Sequence, residues 1–585
     1  MDRTRGAGRQ VPERRHGIVR LGPEQRSRDV ARLAGETFDV LVVGGGVTGA
    51  GVALDAATRG LSVALVEARD WASGTSSRSS KLIHGGLRYL EQRDFGLVRE
   101  ALTERGLLLG ELAPHLVRPV PFVLPLTHHV WQRAYYGAGI ALYDVLGTVS
   151  GSARGLPRHR HLSRTATLRR FPDLRADALV GAIEYHDGQV DDARHTLTVA
   201  RTAAQYGACL VSSARVTGLL RDGERVVGAW VRDLETGRPT QVRARAVIAA
   251  TGVWSDDVGR MLGEGPGLSV RASKGVHLVV PRDRLDGETG LILRTEVSVL
   301  FVIPWGRHWI IGTTDTDWNL DRAHPAASAR DIDYLLTRLN RVLATPLNRD
   351  DIEGVYAGLR PLLAGESDAT STLSREHAVV CPVPGLVLVA GGKYTTYRVM
   401  AADAVDAACR SLPWVPPSRT GRIPLLGAHR FAPAWAERHR TARRHDLPIA
   451  TVEHLLRRYG DRTADLLALV RQRPELGRPL PGAPEYLAVE AYYAATAEGA
   501  LHLEDVLTRR TRISVETVHR GVESAAAVAA IVAPVLGWDP DRVDREIEHY
   551  RLRVVAERAS QRMPDDHTAE VARLGAPDIR NTSPA

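Results

Sequence analysis

The three lysines of this chain mark stretches in which chemistry is expected. Of 77 lysine and arginine residues only Lys81, Lys274 and Lys393 are lysines, and each stands in a stretch rich in glycine or serine. A lysine supplies a compact amine whose pKa the surroundings can shift, whereas the guanidinium of arginine is planar and always charged. Two of these stretches also contain a histidine, His84 or His277, which titrates near neutrality. These stretches are therefore candidates for proton transfer and for binding an anionic group.

A different pattern, from Thr37 to Glu67, predicts a dinucleotide-binding unit. An apolar strand leads into a glycine-rich turn, a helix and a second strand that ends at Glu67. Gly44 permits the turn, Gly46 lets the backbone approach a pyrophosphate, and Gly49 lets the helix pack closely against the sheet. The N-terminus of the helix attracts phosphate, and Glu67 can accept hydrogen bonds from a ribose. The alternative is a glycine-rich turn followed by a coincidental acid.

Length and composition restrict the class of protein. A chain of 585 residues predicts two or three domains, and 44% hydrophobic with 25% charged residues is typical of soluble proteins. No apolar run is long enough to span a bilayer, and the arginine-rich start does not resemble a signal peptide. The three cysteines lie far apart, which favours neither disulfides nor a metal site. We therefore expect a cytoplasmic protein without a metal.

The net charge of +9 indicates an anionic partner. No nucleic-acid-binding motif accompanies the charge, so nucleic acid is not expected. A phosphorylated substrate and an anionic membrane surface remain as the two candidates.

The chain divides into segments of different composition. A helix is expected from residue 90 to residue 112, and the proline-rich residues 114–126 predict extended or edge structure. Strand-rich segments with turn residues suggest an antiparallel sheet inserted into the nucleotide-binding domain. We expect a disordered basic arm (1–34), a nucleotide-binding domain (35–411) interleaved with a substrate domain (about 111–190 and 261–354), a linker (412–431), a helical domain (432–562) and a flexible tail (563–585).

Several longer motifs give this sequence a specific resemblance. It resembles the FAD-dependent glycerol-3-phosphate dehydrogenases, which are flavoproteins of the D-amino-acid-oxidase-like group. The motifs that carry the resemblance, in chain order, are Gly44-Gly-Gly-Val-Thr-Gly-Ala-Gly51, Ser79-Ser-Lys-Leu-Ile-His-Gly-Gly-Leu-Arg-Tyr-Leu90, Ile303-Pro-Trp305, Ile311-Gly-Thr-Thr-Asp315, Tyr356-Ala-Gly-Leu-Arg-Pro-Leu362, Gly391-Gly-Lys-Tyr-Thr-Thr-Tyr-Arg398 and Leu503-Glu-Asp-Val-Leu-Thr-Arg-Arg-Thr511. The arginine-rich arm and the C-terminal tail depart from the family pattern.

The resemblance implies an α/β fold and FAD as the dinucleotide. The fold is a Rossmann-like FAD-binding domain with an inserted antiparallel-sheet substrate domain, followed by a C-terminal helical domain. The residues implied to bind FAD are Gly44, Gly45, Gly46, Gly49, Glu67, Thr75, Ser76, Ser80, Gly85, Gly86, Thr251, Gly252, Gly391, Gly392, Lys393 and Thr395. Without the resemblance, Gly391 and Gly392 predict no more than a turn between a strand and a helix.

The resemblance also implies a substrate, glycerol 3-phosphate, and the groups that would act on it. The planar fork of arginine suits phosphate oxygens. The implied substrate-binding residues are Arg88, Tyr89, Arg360, Arg375 and Lys393. Oxidation of an alcohol needs a base for the hydroxyl proton, and the expected base is His84, with His277 as the second choice. Lys274 and Arg360 are expected to stabilise the developing alkoxide.

The motifs leave several alternatives open. The electron acceptor implied by the family is a membrane quinone, which fits peripheral attachment to the cytoplasmic face of the membrane, but an oxidase that uses oxygen shares the same motifs. A substrate that is an amino acid or amine is disfavoured by the arginines. A non-catalytic flavin-binding regulatory module is a further alternative, disfavoured by the intact loop around His84. A homodimer is compatible with the sequence.

Overall fold

The computed structural model describes residues 19–86, 94–128, 131–149, 156–177, 179–263, 268–294, 299–364 and 376–580. Within these residues the protein contains two large sheets and a C-terminal set of helices. The first sheet belongs to the nucleotide-binding domain and the second to the inserted domain.

The first sheet has a parallel centre in the order β7-β2-β1-β10-β18. β17 is antiparallel to β18, and β9 and β8 extend the sheet from β10 in antiparallel pairs. Its strands are β1 (Thr37–Val43), β2 (Val63–Val66), β7 (Cys209–Val211), β8 (Ala214–Asp222), β9 (Arg225–Asp233), β10 (Pro239–Ala249), β17 (His377–Val380) and β18 (Leu386–Gly391).

Helices cover this first sheet and bury its apolar strands. Those of the domain are α1 (Pro23–Gly35), α2 (Val47–Thr58), α3 (Phe95–Leu107), α6 (Asp192–Gln205), α7 (Ser255–Arg260) and α9 (Tyr397–Cys409). α2 can lie close to the turn after β1 because Gly49 has no side chain. A Cβ at Gly49 would stand 1.8 Å from the carbonyl oxygen of Gly44.

The second sheet is predominantly antiparallel, as expected for the inserted domain. One pair, β4 with β12, is parallel. The strands are β3 (Leu82–Ile83), β4 (Val117–Leu126), β5 (Arg160–Ser163), β6 (Gly181–Val190), β11 (Val270–Pro281), β12 (Gly290–Arg294), β13 (Val299–Trp305), β14 (His308–Gly312), β15 (Thr316–Trp318) and β16 (Gly354–Leu363). The helices of this domain are α4 (Trp131–Val149), α5 (Arg164–Arg170) and α8 (Ala329–Asn340).

The C-terminal domain is mostly helical and has one small hairpin. The hairpin pairs β19 (Pro479–Leu480) with β20 (Ala483–Leu487). Its helices are α10 (Phe431–Ala436), α11 (Arg438–His445), α12 (Ile449–Tyr459), α13 (Thr463–Gln472), α14 (Ala488–Ala497), α15 (Ile513–Glu516), α16 (Val522–Leu536), α17 (Pro540–Ser560) and α18 (Asp566–Leu574). Among the described helices, none is both long enough and apolar enough to cross a membrane.

The expectation of disorder up to residue 34 is wrong for the described part of the arm, where α1 forms. The buried face of α1 consists of Gln25, Asp29 and Leu33. Gln25 donates to the carbonyl oxygen of Leu210, and Asp29 accepts from the N–H of Leu210. The face is polar because it covers the backbone of the edge strand β7, so a search for apolar periodicity misses this helix.

Two further expectations also need correction. The tail from residue 563 forms α18, and Arg580 beyond it is buried in an ion pair with Asp505. Most of residues 114–126 is extended, as predicted, and forms β4, but β4 lies between β6 and β12 rather than at an edge, although it contains three prolines. It pairs with β12 only at Phe122 and Val123, so the prolines lie outside that short ladder.

Candidate active site

A cavity of about 1070 Å³ is lined by residues from both sheets and from the C-terminal segment. Its volume lies slightly above the usual range for small-molecule sites, on the order of 300–1,000 Å³. It is large enough for a dinucleotide together with a small substrate. The first sheet contributes the turn after β1, the end of β2 and the ends of β10 and β18.

The dinucleotide part of the cavity contains Gly44, Gly46, Glu67, Thr251 and Gly252. The positive φ angles of Gly44 (+107°) and Gly252 (+56°) favour glycine at both turns. One carboxylate oxygen of Glu67 accepts a 2.6 Å hydrogen bond from the N–H of Gly45, which holds the acid at the end of β2. The hydroxyl of Thr251 is buried and has no hydrogen-bond partner among the described residues. These features fit a dinucleotide that approaches the backbone closely and hydrogen-bonds polar groups left unpaired.

The serine-rich loop after β2 borders the same part of the cavity. The hydroxyl of Ser76 accepts a 2.9 Å hydrogen bond from the N–H of Val47, the first residue of α2. The hydroxyl of Thr75 donates to the carbonyl oxygen of Leu359 in β16 at 2.6 Å. This loop therefore joins the N-terminus of α2 to the second sheet, and both hydroxyl residues face the cavity as the sequence predicts.

The loop after β18 forms another part of the cavity wall and contacts the loop that contains His84. Gly391 and Gly392 have φ angles of +76° and +73° and turn the chain into the cavity wall. The hydroxyl of Thr395 accepts from the N–H of His84 at 3.2 Å and donates to its carbonyl oxygen at 3.3 Å. His84, Thr395 and Lys393 all border the cavity. The motif that contains His84 and the motif that begins at Gly391 thus meet at the cavity wall.

His277 lies on β11 in a closely packed group. Its Nε2 is 2.8 Å from the hydroxyl of Ser80, and its ring stacks on Tyr356 with centroids 4.7 Å apart. Burial, followed by the charges of Arg360 and Lys81, holds the pKa of His277 well below its usual value. The imidazole is therefore neutral at physiological pH, and a proton on it would be unfavourable.

Arg360 projects from β16 toward the cavity and is held by polar groups of the second sheet. One guanidinium nitrogen donates to the hydroxyl of Thr313 and to the carbonyl oxygen of Thr314, each at 3.1 Å. The other lies 3.4 Å from a carboxylate oxygen of Asp315. A Cβ at Gly275 would stand 2.7 Å from the guanidinium, so the arginine needs a glycine beside it. These contacts hold the guanidinium in a position from which it can donate hydrogen bonds to an anion in the cavity.

The three lysines do not share one location. Lys393 borders the cavity, as the sequence predicts. Lys274 does not: its ammonium is buried between Asp331, at 2.7 Å, and Asp566, at 2.5 Å. Side chains alternate along a strand, so Lys274 of β11 faces away from the cavity that Gly275 and His277 border. The geometry therefore does not support a catalytic role for Lys274.

Lys81 is buried in an ion pair with Asp192 at 2.6 Å, outside the cavity lining. Burial, followed by the charge of Arg512, lowers the pKa of Lys81 to about 8. Lys81 is therefore an amine whose pKa the surroundings shift, but it joins the serine-rich loop to the helix α6 instead of lining the cavity.

Several other predicted residues lie elsewhere. Gly45, Gly49, Gly85 and Gly86 are absent from the cavity lining. The N–H of Gly85 donates to the hydroxyl of Tyr143, and a Cβ there would strike that ring, so this glycine serves packing. Arg88, Tyr89 and Arg375 lie outside the described residues.

The structure also adds lining residues that the sequence did not indicate. Those that border the cavity are Arg78, Trp254, Leu574, Ala576, Pro577 and Asp578. Arg78 directly precedes the motif that begins at Ser79, so its position in the serine-rich loop was an available signal. No local pattern connects residues 574–578 with a site that begins more than 500 positions earlier in the chain.

Comparison with known proteins decides the family. Residues 39–398 match the family of FAD dependent oxidoreductases, and residues 418–543 match the C-terminal domain of alpha-glycerophosphate oxidase. A glycerol-3-phosphate dehydrogenase of Mycobacterium leprae is 58% identical over 96% of this chain and 95% of its own length. The chain belongs to the FAD-dependent glycerol-3-phosphate dehydrogenases. It is an FAD-dependent enzyme, so a non-catalytic flavin-binding module is no longer a competing interpretation.

Two further members of this family are similar over most of their length. The human mitochondrial glycerol-3-phosphate dehydrogenase is 38% identical over 91% of this chain and 75% of its own. The crystal structure of the glycerol-3-phosphate dehydrogenase from Bacillus halodurans, complexed with FAD, matches with a TM-score of 0.74. It is 28% identical and covers 91% of this chain and 98% of its own. The similarity includes the helical domain, so the whole architecture is that of the family.

Proposed function

We propose that the protein oxidises sn-glycerol 3-phosphate to dihydroxyacetone phosphate, with the electrons passing from FAD to a membrane quinone. The observation that carries the proposal is the shared cavity. Gly44 and Glu67 of its dinucleotide part border the same cavity as His84, Arg360 and Lys393. The names of the relatives, 58% and 38% identical to this chain, support the same substrate.

Arg360 and Lys393 are the described residues proposed to bind the phosphate. The guanidinium offers parallel N–H donors to phosphate oxygens, and the ammonium adds a second positive charge. Arg88, Tyr89 and Arg375 are proposed to complete this site, on the basis of the family resemblance. The hydrogen bonds of Arg360 to the second sheet orient its guanidinium before the substrate binds.

His84 is the proposed base, and His277 is proposed to position the substrate. In this proposal His84 accepts the hydroxyl proton while the C2–H bond breaks, which leaves the ketone of the product. The chemistry that FAD supplies when bound is acceptance of the hydride that leaves C2. His277 is the weaker candidate for the base because burial and Arg360 oppose a positive charge on it. Its Nδ1, which has no hydrogen-bond partner among the described residues, is proposed to hydrogen-bond the substrate.

A quinone is proposed as the acceptor because the relatives with the highest identity cited above are named dehydrogenases. Oxygen remains the second candidate, since residues 418–543 match a domain described for an oxidase. The test measures hydrogen peroxide formed during glycerol 3-phosphate oxidation, with and without a soluble quinone analogue. We expect little peroxide and a turnover that depends on the quinone. Peroxide equal to the substrate oxidised, with no effect of the quinone, would identify an oxidase.

Peripheral contact with an anionic membrane is part of this proposal. It is supported by the net charge of +9 and by the exposed apolar side chains of Phe95, Tyr135 and Leu142. Co-sedimentation with vesicles should be strong for anionic lipid and weak for neutral lipid. Equal recovery with both lipids would contradict an electrostatic contribution. A homodimer, also proposed, is checked by the mass of the purified protein in solution.

A further inference from the structure

The C-terminal segment, residues 566–580, forms part of the wall of the cofactor cavity. Leu574, Ala576, Pro577 and Asp578 line the same cavity as Glu67. The segment lies beyond both family matches, which end at residues 398 and 543. Its placement is therefore a property of this structure that the family domains do not account for.

Ion pairs attach this segment at three points. Asp566 pairs with Lys274 at 2.5 Å near the start of α18. Asp578 lies 3.6 Å from a guanidinium nitrogen of Arg69.

The third attachment is the strongest by geometry. The guanidinium of Arg580 donates to both carboxylate oxygens of Asp505, at 3.0 and 2.8 Å, and both residues are buried. Asp505 belongs to the helical domain, so the segment connects this domain to the nucleotide-binding domain. Detachment would take Arg580 away from the buried carboxylate of Asp505, and loss of one partner of a buried ion pair is strongly unfavourable, so this contact opposes opening of the segment.

The part of the cavity wall beside the segment carries positive charge. Arg69 and Arg78 both donate to the carbonyl oxygen of Ala323, which brings the two guanidinium groups together. No carboxylate among the described residues forms a salt bridge with Arg78. Burial, then Arg69 and Arg573, lowers the pKa of Arg78 to about 9. An anion in the cavity would relieve this repulsion.

The neighbouring residues indicate which anion. The N–H of Arg69 donates to Glu67, the residue expected to hold the ribose of the cofactor. The positive charge therefore lies beside the ADP half of the dinucleotide site, where a diphosphate carries its negative charge.

We propose that residues 566–580 retain FAD by closing the cavity over its ADP half, with Arg78 providing positive charge for the diphosphate. The proposal rests on FAD binding in this cavity. It adds that release of the cofactor requires the segment to detach. An intact segment should therefore slow dissociation of FAD without contacting the substrate.

Deletion of residues 575–585 tests the proposal, and deletion of residues 581–585 is the matched control that keeps Arg580. The dissociation rate of FAD is measured by the recovery of flavin fluorescence after dilution. We expect the longer deletion to accelerate release at least tenfold, the order expected for loss of buried ion pairs. The control should resemble the full chain. Release within about twofold of the full chain after the longer deletion would overturn the proposal.

A second measurement does not depend on the stability of a truncated chain. Hydrogen exchange of residues 566–580 is compared in the full-length protein with and without FAD. We expect markedly slower exchange in the holoprotein, and equal exchange in the two forms would overturn the proposal. Arg78→Met should raise the Kd of FAD about tenfold, whereas Arg551→Met, in an exposed ion pair with Glu548, should leave it unchanged. A full-length protein that binds no FAD would instead refute the proposed function.

Discussion

His84 is positioned by its backbone at the place where two motifs meet. Its N–H and carbonyl oxygen both hydrogen-bond the hydroxyl of Thr395, which follows the glycine turn after β18. This arrangement anchors the backbone of His84 at the wall of the cavity that the residue borders. It is this position that supports the proposal of His84 as the base.

Replacement of the proposed base gives the most direct prediction at this scale. His84→Asn should retain FAD and lower kcat by about 10²- to 10⁴-fold, the usual contribution of a general base. The measurement is the anaerobic rate of flavin reduction by glycerol 3-phosphate. His519→Asn, at an exposed position, is the control. A near-normal rate in His84→Asn would remove this residue from the role.

At the scale of elements, the pairing of β11 with β16 builds the substrate side of the site. Ser273 is opposite Arg360, and His277 is opposite Tyr356. The two strands thus place a cation and a neutral imidazole at one wall, and Gly275 leaves the space that the guanidinium occupies. The position of Arg360 therefore depends on the glycine at position 275.

Gly275→Ala should therefore impair substrate binding without removing FAD. The added Cβ would stand 2.6 Å from the hydroxyl of Thr313 and 2.7 Å from the guanidinium of Arg360, so the arginine must move. We expect the KM for glycerol 3-phosphate to rise at least tenfold, in line with displacement of one charged phosphate contact. Steady-state kinetics and the flavin content check this. Gly110→Ala, where a Cβ meets no atom within 4 Å, is the control, and an unchanged KM in Gly275→Ala would contradict the argument.

Local patterns predicted the elements that build the site, and they failed where side-chain partners are distant in sequence. The unit from Gly44 to Glu67 is predictable because each part of it follows the previous one along the chain. Lys274 is buried between Asp331 and Asp566, which lie 57 and 292 positions away. The scarcity of lysine in the chain marked Lys274 as unusual. Composition contains no information about which residues pair with it. Because side chains alternate along a strand, the order of residues in β11 would have placed Lys274 and His277 on opposite faces of the sheet.

At the scale of the whole molecule, buried ion pairs connect the helical domain to the nucleotide-binding domain. Asp70, next to the cofactor loop, pairs with Arg509 and Arg510 of the helical domain. His502 lies between Glu235 of the first domain and Glu546 of α17, 2.9 Å from each. The interface is thus charged, and its stability should depend on pH.

The pH dependence is expected to come from His502. Burial opposes its charge, but hydrogen bonds to Glu235 and Glu546 outweigh it, so the pKa of His502 is raised to about 9. A raised pKa stabilises the fold fully below the unfolded value of about 6.5, and this contribution is lost as pH rises through about 9. The loss amounts to about 3 kcal/mol. Chemical unfolding between these pH values should show it, and His502→Gln should flatten the dependence. An equally steep dependence in His502→Gln would contradict this origin.

The fold class was predicted correctly, because apolar runs and turn residues signal sheets and helices. The terminal segments were not, because their structure depends on the rest of the molecule. Leu33 of α1 packs against a sheet, and Arg580 is buried only because Asp505 lies opposite it. Sequences with so few apolar residues resemble disordered tails when they are considered alone.

We propose that a flavin and a phosphorylated alcohol occupy one cavity next to His84 and Arg360. Anaerobic addition of glycerol 3-phosphate to the purified yellow protein tests this shared site in a single step. We expect rapid loss of the visible flavin absorbance with glycerol 3-phosphate and far slower loss with glycerol, which lacks the phosphate. Flavin that stays oxidised with glycerol 3-phosphate, or that is bleached equally by glycerol, would rule out a shared site for flavin and phosphorylated alcohol.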